Sequence, residues 1–197
     1  MIKIEEISKS FKENKLFEKL SFEIRQGEKI CLSADSGKGK STLIKIILGL
    51  ESIDSGQVLI NNLLLDKNNI AEIRNQIAWL PQDLSLNIQT AEELIEYLTL
   101  DEKKLLLFMQ KLKLDAQLLK QEYQSLSGGQ KQRLLLSACL SLEKPILILD
   151  EPTSALDKTA IQDLISTIWQ IENLTLISAS HNEDWKNACD KILIINE

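Results

Sequence analysis

The segment 34–42 has residue types that suit phosphate binding. It reads A-D-S-G-K-G-K-S-T and follows the P-loop pattern G-x-x-x-x-G-K-[ST] except at its first position. Its two glycines let successive backbone N–H groups face one anion, and the helix that starts at Lys40 adds its positive end. Lys40 is expected to reach the β- and γ-phosphates of a nucleotide, and Ser41 to offer its hydroxyl to Mg²⁺. A flexible loop is the plainer alternative, but the strand–loop–helix context favours nucleotide binding.

Ala34 stands where the P-loop pattern has glycine. If the backbone at this position needs a positive φ, alanine costs roughly 1–2 kcal/mol. If φ is negative, alanine costs little. In both cases we expect nucleotide binding to survive.

Two adjacent carboxylates, Asp150 and Glu151, follow the apolar run ILIL at 146–149. Burial of that run would place Asp150 at the carboxyl edge of a sheet, where open α/β folds bind their ligands. Asp150 can hold Mg²⁺ through water, and Glu151 can polarise the water that attacks the γ-phosphate. Alone, a D-E-P turn is more typical of a capped loop. Together with the glycine-containing loop, it predicts a catalytic pair.

A second helix start with anion-binding character lies at LSGGQ, residues 126–130. Two adjacent glycines weaken a helix by roughly 1 kcal/mol each, so they imply a packing or ligand reason. Ser127 and the N–H groups of Gly128 and Gly129 form a second anion site at this helix start. A plain serine N-cap would account for the serine but not for both glycines.

The composition is that of one soluble globular domain. Of 197 residues, 44% are hydrophobic and 26% are charged, which excludes collagen-like, disordered and membrane-spanning chains. The net charge of −6, with dispersed basic residues, argues weakly against a nucleic-acid partner. Three cysteines without C-x-x-C spacing predict reduced, buried thiols in a cytosolic protein. The chain start lacks the pattern of a signal peptide, so we expect any membrane association to come through a partner.

Strands and helices alternate along the chain. Apolar and alternating runs predict strands at 2–8, 19–26, 29–34, 77–81, 146–150, 175–180 and 191–196, with a hairpin at 57–65. Helical spacing predicts helices at 40–50, within 90–142 and at about 158–171, and a short helix before the final strand. This order predicts one α/β domain with a mostly parallel sheet, covered on both faces, that positions the loops described above.

Four motifs in this order, ADSGKGKST, LSGGQKQR, ILILDEP and SALD, resemble the nucleotide-binding domain of an ABC-family ATPase. The resemblance covers essentially all 197 residues. It implies an ABC-type P-loop NTPase with a mostly parallel core sheet, an N-terminal antiparallel β part and a helical subdomain. The single domain would span 1–197, with its core at about 1–87 and 144–197 and its helical signature subdomain at about 88–143.

The resemblance also implies a role for each site residue. Residues expected to bind the nucleotide are Phe11, which would stack on adenine, and Ala34, Asp35, Ser36, Gly37, Lys38, Gly39, Lys40, Ser41 and Thr42. The expected catalytic residues are Glu151, the switch histidine His181, the Q-loop glutamine Gln82, and Lys40, and the expected metal ligands are Ser41, Gln82 and Asp150. The signature residues, expected to contact the opposite subunit's ATP, are Ser127, Gly128, Gly129 and Gln130. The D-loop, expected at the dimer interface, comprises Ser154, Ala155, Leu156 and Asp157.

The function that the resemblance implies is ATP hydrolysis, with Mg²⁺, by a subunit that powers an ABC transporter as a head-to-tail dimer. Its partners would be a second ABC ATPase subunit, identical or related, and separate transmembrane permease subunits, with no nucleic acid and no span of its own. It would be cytoplasmic, on the inner face of the cell membrane.

Two alternatives to the transporter role stay open at this point. One is a soluble, non-transport ABC ATPase with a role in metal-cluster assembly or another mechanochemical process. The other, motivated by Ala34, is a nucleotide-dependent binding module with weak hydrolysis. Retention of Glu151, Gln82 and His181 argues against the second alternative.

Overall fold

Two β-sheets flanked by helices make up the residues that the computed structural model describes, 1–12, 14–34 and 38–195. The strands are β1 (Ile2–Phe11), β2 (Asn14–Ile24), β3 (Lys29–Ser33), β4 (Ser55–Ile60), β5 (Leu63–Leu64), β6 (Ile77–Leu80), β7 (Ile146–Asp150), β8 (Thr175–Ala179) and β9 (Lys191–Ile194). The α-helices are α1 (Lys40–Ile47), α2 (Ile70–Asn75), α3 (Glu93–Tyr97), α4 (Glu102–Lys111), α5 (Gly128–Ser141), α6 (Lys158–Trp169) and α7 (Glu183–Ala188). Short 3₁₀ helices at Ala116–Lys120 and Tyr123–Ser125 lie between α4 and α5. The predicted nucleotide-binding residues Asp35, Ser36 and Gly37 lie outside the described residues.

The central sheet is parallel, with strand order β6-β7-β8-β3-β9. Every residue of β7 and β8 is buried, because helices cover both faces, and this explains why both strands are almost continuously apolar. The register pairs Leu80 of β6 with Leu149 of β7, and Asp150 with Ala179 of β8. The carboxyl ends of these strands therefore lie side by side.

The second sheet is antiparallel and has the strand order β2-β1-β4-β5. It contains the hairpin that the sequence predicts at 57–65. Asn61 and Asn62 form its turn with φ values of 49° and 66°, a pair of positive angles typical of a tight two-residue hairpin. This sheet is the antiparallel β part expected near the N-terminus.

The central sheet separates two clusters of buried apolar side chains. Ile146 and Ile148 of β7 point into the cluster that includes α1, β1 and β4. Leu147 and Leu149 point into the cluster that includes α4 and α5. Strand β7 therefore contributes to both cores by the alternation of its side chains. The three cysteines form no disulfide. Cys31 and Cys139 are buried, as the sequence predicts, whereas Cys189 is only half-buried.

Helix α2 is the element that the sequence did not predict. It has six residues, of which only Ile73 is buried, so its periodic signal is weak. Its Arg74 donates to the carbonyl oxygens of Leu48 and Gly49, each at 3.0 Å, at the C-terminal end of α1. The side chain thereby satisfies carbonyl groups that a helix end leaves without intrahelical partners.

Candidate functional site

Four neighbouring strands of the parallel sheet end at one edge, and each leads into a predicted site residue. β6 leads to Gln82, β7 ends at Asp150 and continues into Glu151, and β8 leads to His181. β3 leads into the loop that ends at Lys40, the first residue of α1. The carboxyl edge of an open parallel sheet is the usual ligand site of α/β folds.

A cleft of about 420 Å³ opens at this edge. The residues that line it are Gly39, Lys40, Ser41, Thr42, Gln82, Asp150, Glu151, Ser154 and His181. Each of these nine residues is a site residue that the sequence predicts. The fold therefore gathers residues that are up to about 140 positions apart in the chain into one polar cleft.

The start of α1 is built to leave its first N–H groups open to a ligand. Gly39 occupies the N-cap with φ of 98° and has no side chain to cap the helix. A Cβ at Gly39 would lie 2.7 Å from the ring of Phe17, so both the backbone angle and the space require glycine. Uncapped N–H groups at a helix start attract anions, which supports the predicted phosphate site.

Lys40 places a cation beside this helix start. The residue is only 9% exposed, and its ammonium group donates to the carbonyl oxygen of Ala34 at 2.7 Å. Ala34 is not among the non-glycine residues with positive φ in the described parts of the chain. The alternative in which alanine strains the first position of the P-loop is therefore excluded. Alanine costs the loop little.

The carboxylate pair lies in a desolvated position at the end of β7. Asp150 is 7% exposed, and burial raises its pKa, while the Ser41 hydroxyl and the Lys40 ammonium act in the opposite direction. Burial also raises the pKa of Glu151, opposed by His181, whose Nε2 lies 3.6 Å from Oε1 of Glu151. A raised pKa makes a carboxylate a better proton acceptor, as a general base requires.

The backbone of Glu151 is held in an unusual conformation. Its φ is 52°, in the left-handed region that non-glycine residues rarely adopt. Its N–H donates to the carbonyl oxygen of Ala179 on β8 at 2.8 Å. Such angles persist where surrounding contacts over-determine them and are frequent at functional sites.

The start of α5 differs from that of α1. Ser127 accepts from the N–H of Gln130 at 3.3 Å, and the Gln130 side chain accepts from the N–H of Ser127 at 2.9 Å, which forms a capping box. Ser127 and Gly128 are exposed and do not line the cleft. None of the signature residues 127–130 lines the chain's own cleft.

The second signature glycine has a packing reason in this chain. A Cβ at Gly129 would lie 2.9 Å from the carbonyl oxygen of Ala155 in the D-loop, closer than side-chain and backbone atoms pack. A Cβ at Gly128 would lie 3.5 Å from the Cβ of Ala155, an ordinary contact. Gly129 therefore lets the start of α5 approach the D-loop.

Three further predicted residues, Phe11, Leu156 and Asp157, do not line the cleft. Phe11 is 47% exposed, with the Lys9 ammonium 4.7 Å from its ring centre, and it does not line the cleft. Asp157 caps α6 by accepting from the N–H of Ala160 at 2.8 Å. Leu156 packs against the core around α5. Within the D-loop, Ser154 is the residue that lines the cleft.

Buried polar residues around the cleft escaped the sequence analysis. The hydroxyls of Thr153 and Ser180 lie 2.9 Å apart, which joins the segment after Glu151 to the segment before His181. Gln132 is 1% exposed and contacts the same segment from α5. Gln132 lies on the same face of α5 as Leu135, Leu136 and Cys139, which follow it at helical spacing. A polar residue on such an apolar face is the signal by which the sequence could have identified it.

Neutralising Glu151 is expected to stabilise the nucleotide-free protein. Because burial raises the pKa of Glu151 above its unfolded value, the ionised carboxylate lowers the free energy of unfolding. This cost develops as pH rises through the unfolded pKa of about 4.3 and is absent below it, where both states bind the proton. We expect Glu151→Gln to raise the Tm at neutral pH and not in acid. Thermal unfolding across this pH range measures the effect. The control is Glu183→Gln, because the Glu183 side chain is 76% exposed. If Glu151→Gln and the wild-type protein have equal Tm values at neutral pH, the prediction is contradicted.

The site fits a metal that arrives with a nucleotide. In the described part of the chain, no cluster of three or more His, Cys, Asp or Glu residues could hold a metal ion alone. Ser41 and Asp150 nevertheless line the cleft with a hydroxyl and a carboxylate. The Ser41 hydroxyl hydrogen-bonds with the Asp150 carboxylate. Mg²⁺ is commonly held by one or two such oxygens together with substrate phosphates. Among the described residues, no helix is long and apolar enough to cross a membrane.

The fold and the cleft define a P-loop nucleoside triphosphatase, and the comparisons with known proteins specify its family. The family model described as "ABC transporter" matches residues 17–154. A probable ABC transporter ATP-binding protein, PEB1C, of Campylobacter jejuni is 31% identical over 216 residues, and the alignment covers 100% of this chain and 87% of that protein. An energy-coupling factor transporter ATP-binding protein, EcfA, of Aster yellows witches'-broom phytoplasma is 31% identical over 205 residues, with 99% and 75% covered.

A solved structure, described as the dimeric structure of a bacterial ABC transporter cassette, has the same fold. It superimposes with a TM-score of 0.89 at 24% identity and covers 99% of this chain and 94% of that one. The ABC-type P-loop fold that the sequence predicts is therefore confirmed.

The chain belongs to the ABC transporter family of ATP-binding proteins. It binds ATP, and it is an ATPase subunit that powers a transporter, as the sequence predicts. The two alternatives, a soluble ABC ATPase without a transport role and a binding module with weak hydrolysis, are set aside by this membership.

Proposed function

We propose that the chain works in a head-to-tail dimer, with each ATP held between the cleft of one subunit and the signature residues 127–130 of the other. The observation that supports this arrangement is that Ser127 and Gly128 are exposed and do not line the chain's own cleft. A helix start with paired glycines can receive an anion, so a phosphate supplied by a partner is its fitting ligand. The bacterial cassette with the same fold was solved as a dimer, which supports this arrangement.

In this proposal, residues that follow different strands of the parallel sheet have different roles in the reaction. The start of α1 and Lys40 bind the phosphates, and Phe11 stacks on the adenine. Glu151 accepts a proton from the attacking water, because its carboxylate is desolvated and its pKa is raised. His181, whose Nε2 lies 3.6 Å from Oε1 of Glu151, would contact the γ-phosphate, and Gln82, which also lines the cleft, would orient the water.

Ser41, Gln82 and Asp150 are the residues that would hold Mg²⁺ in this cleft. When bound, Mg²⁺ supplies positive charge that neutralises the phosphate oxygens. Burial raises the pKa of Asp150 more than the Ser41 hydroxyl and the lysines Lys40 and Lys45 lower it, so a further positive charge would stabilise its carboxylate. A cation near this carboxylate would therefore be attracted strongly.

We further propose separate permease subunits as partners, which would hold the chain on the cytoplasmic face of the cell membrane. Residues 88–143, which contain α3 to α5, would form the helical subdomain that links the signature helix to those partners. The Tyr123 hydroxyl donates to the carbonyl oxygen of Leu84 at 2.6 Å, which joins this segment to the chain just after Gln82. A movement at the permease contact would therefore reach the cleft through the segment 82–84.

Affinity purification from native membranes tests the transporter assembly. The tagged chain, solubilised in mild detergent, is expected to bring down a multi-span membrane protein together with a second ATP-binding subunit. The complex is expected to keep its subunit ratio through size-exclusion chromatography, and its ATPase rate should differ from that of the isolated chain. Recovery of soluble proteins alone, with an unchanged rate, would contradict the proposal of separate permeases.

A further inference from the structure

The Gln132 side chain joins the signature helix to the chain segment that carries Glu151. Gln132 is the fifth residue of α5 and is 1% exposed. Its Nε2 donates to the backbone carbonyl oxygen of Glu151 at 2.9 Å and to Oγ of Ser154 at 3.4 Å. Its Oε1 accepts from the N–H of Ala155 at 2.9 Å. Both ends of the amide therefore bond to one five-residue stretch, 151–155.

The backbone of Glu151 depends on contacts from two sides. Its N–H donates to the carbonyl oxygen of Ala179 in β8 at 2.8 Å, and its own carbonyl oxygen accepts from Nε2 of Gln132 at 2.9 Å and from the N–H of Ser154 at 3.3 Å. A φ of 52° in a glutamate persists only when its surroundings fix it. Among these contacts, the bond from Gln132 comes from a side chain, so it can be removed by substitution.

We propose that Gln132 is a positioning residue for Glu151. Through its hydrogen bonds, Gln132 couples the location of the signature helix to the orientation of the general base. The coupling across the dimer rests on the function proposed above: ATP held at the signature of one subunit would set α5, and Gln132 would carry that setting to Glu151 of the same subunit. Gly129 reinforces the link, because its lack of a Cβ lets α5 approach Ala155, the residue that Gln132 also holds.

The experiment compares the kinetics of two variants with those of a matched control. Gln132→Leu removes both ends of the amide. Gln132→Glu keeps an acceptor for Ala155 but removes the donor to Glu151 and puts a carboxylate beside its carbonyl oxygen. Ser137→Ala is the control, because Ser137 is also buried in α5 and its hydroxyl donates only within the helix, to the carbonyl oxygen of Arg133 at 2.8 Å.

Both Gln132 variants are expected to lower kcat by about 10- to 100-fold, because a base displaced by an ångström loses activity of this order. The KM for ATP is expected to stay within about twofold of wild type. The reason is that the phosphates bind at the start of α1, whereas Gln132 is in α5. Ser137→Ala is expected to keep both constants. A merely structural role would lower Tm and weaken ATP binding in parallel with kcat, so the split between kcat and KM separates the two roles.

An unchanged kcat in a folded Gln132 variant would overturn the proposal. A parallel loss of kcat, ATP binding and Tm in both variants would overturn it as well. If Gln132→Leu does not fold, Gln132→Glu decides alone. The dimer proposal is tested independently by the ATP-dependent mass of the Glu151→Gln protein. If that protein stays monomeric, the dimer proposal fails, while the kcat of the Gln132 variants still measures the positioning of Glu151.

Discussion

Replacing Glu151 with glutamine is expected to convert a transient ATP-bound dimer into a stable one. Glutamine has nearly the same shape as glutamate but cannot accept the proton of the attacking water at neutral pH. General-base catalysis contributes about 10²- to 10⁴-fold to a rate, so hydrolysis should slow by that order. ATP that is bound but not hydrolysed keeps the two clefts closed on the opposite signatures.

The dimer is measured by light scattering coupled to size-exclusion chromatography, with and without saturating Mg-ATP. The Glu151→Gln protein is expected at twice the mass of one chain with ATP and at the mass of one chain without it. Glu183→Gln, on the exposed side of α7, is the control and should behave like wild type. A Glu151→Gln protein that stays monomeric at saturating ATP would refute the closed-dimer arrangement.

Replacing Lys40 with alanine is expected to abolish ATP hydrolysis. Lys40 is 9% exposed, lines the cleft and lowers the pKa of both Asp150 and Glu151 through its positive charge. A preorganised charged donor in a desolvated site contributes about 10²- to 10³-fold to a rate, and the loss should also weaken ATP binding. We expect turnover below about 1% of wild type.

The matched control for this variant is Lys45→Ala. Lys45 lies on the same helix, five residues further on, but its side chain is exposed. Removing it is expected to leave turnover within about twofold of wild type, because exposed charges interact weakly through water. Phosphate release under steady-state conditions and fluorescent-nucleotide binding measure both effects. Undiminished turnover in Lys40→Ala would refute the P-loop assignment of residues 34–42.

The cleft could be predicted from the sequence because its lining residues lie at or after the ends of strands, and the sequence pattern predicts those strands clearly. The runs that become β3, β7 and β8 are apolar and short, and each has a site residue at or soon after its end: Lys40 after β3, Asp150 at the end of β7 and His181 two residues after β8. Parallel strands bring such residues to one edge, so order along the chain is enough to place them together. The capping box at α5 has an equally local signature, a serine followed three residues later by glutamine.

The contacts between α5 and the D-loop could not be predicted in the same way. The distance from Gly129 to Ala155 and the bonds of Gln132 depend on how α5 packs against the end of β7, and no local pattern encodes that packing. The sequence assigns both glycines to an anion site, and it does not predict the packing reason that Gly129 has against Ala155. Helix α2 was missed for a different reason, since one buried residue in six gives no periodicity.

The side chains of β7 alternate between two apolar cores, and this packing fixes the position of the strand that ends in Asp150. Ile146 and Ile148 are clamped on one face of the sheet, and Leu147 and Leu149 on the other. The strand therefore cannot tilt toward either face without opening a cavity, which close-packed interiors resist. During a catalytic cycle, β7 and Asp150 at its end would stay in place while the signature helix moves, and Glu151, which follows the strand, would be the carboxylate whose orientation changes with that movement.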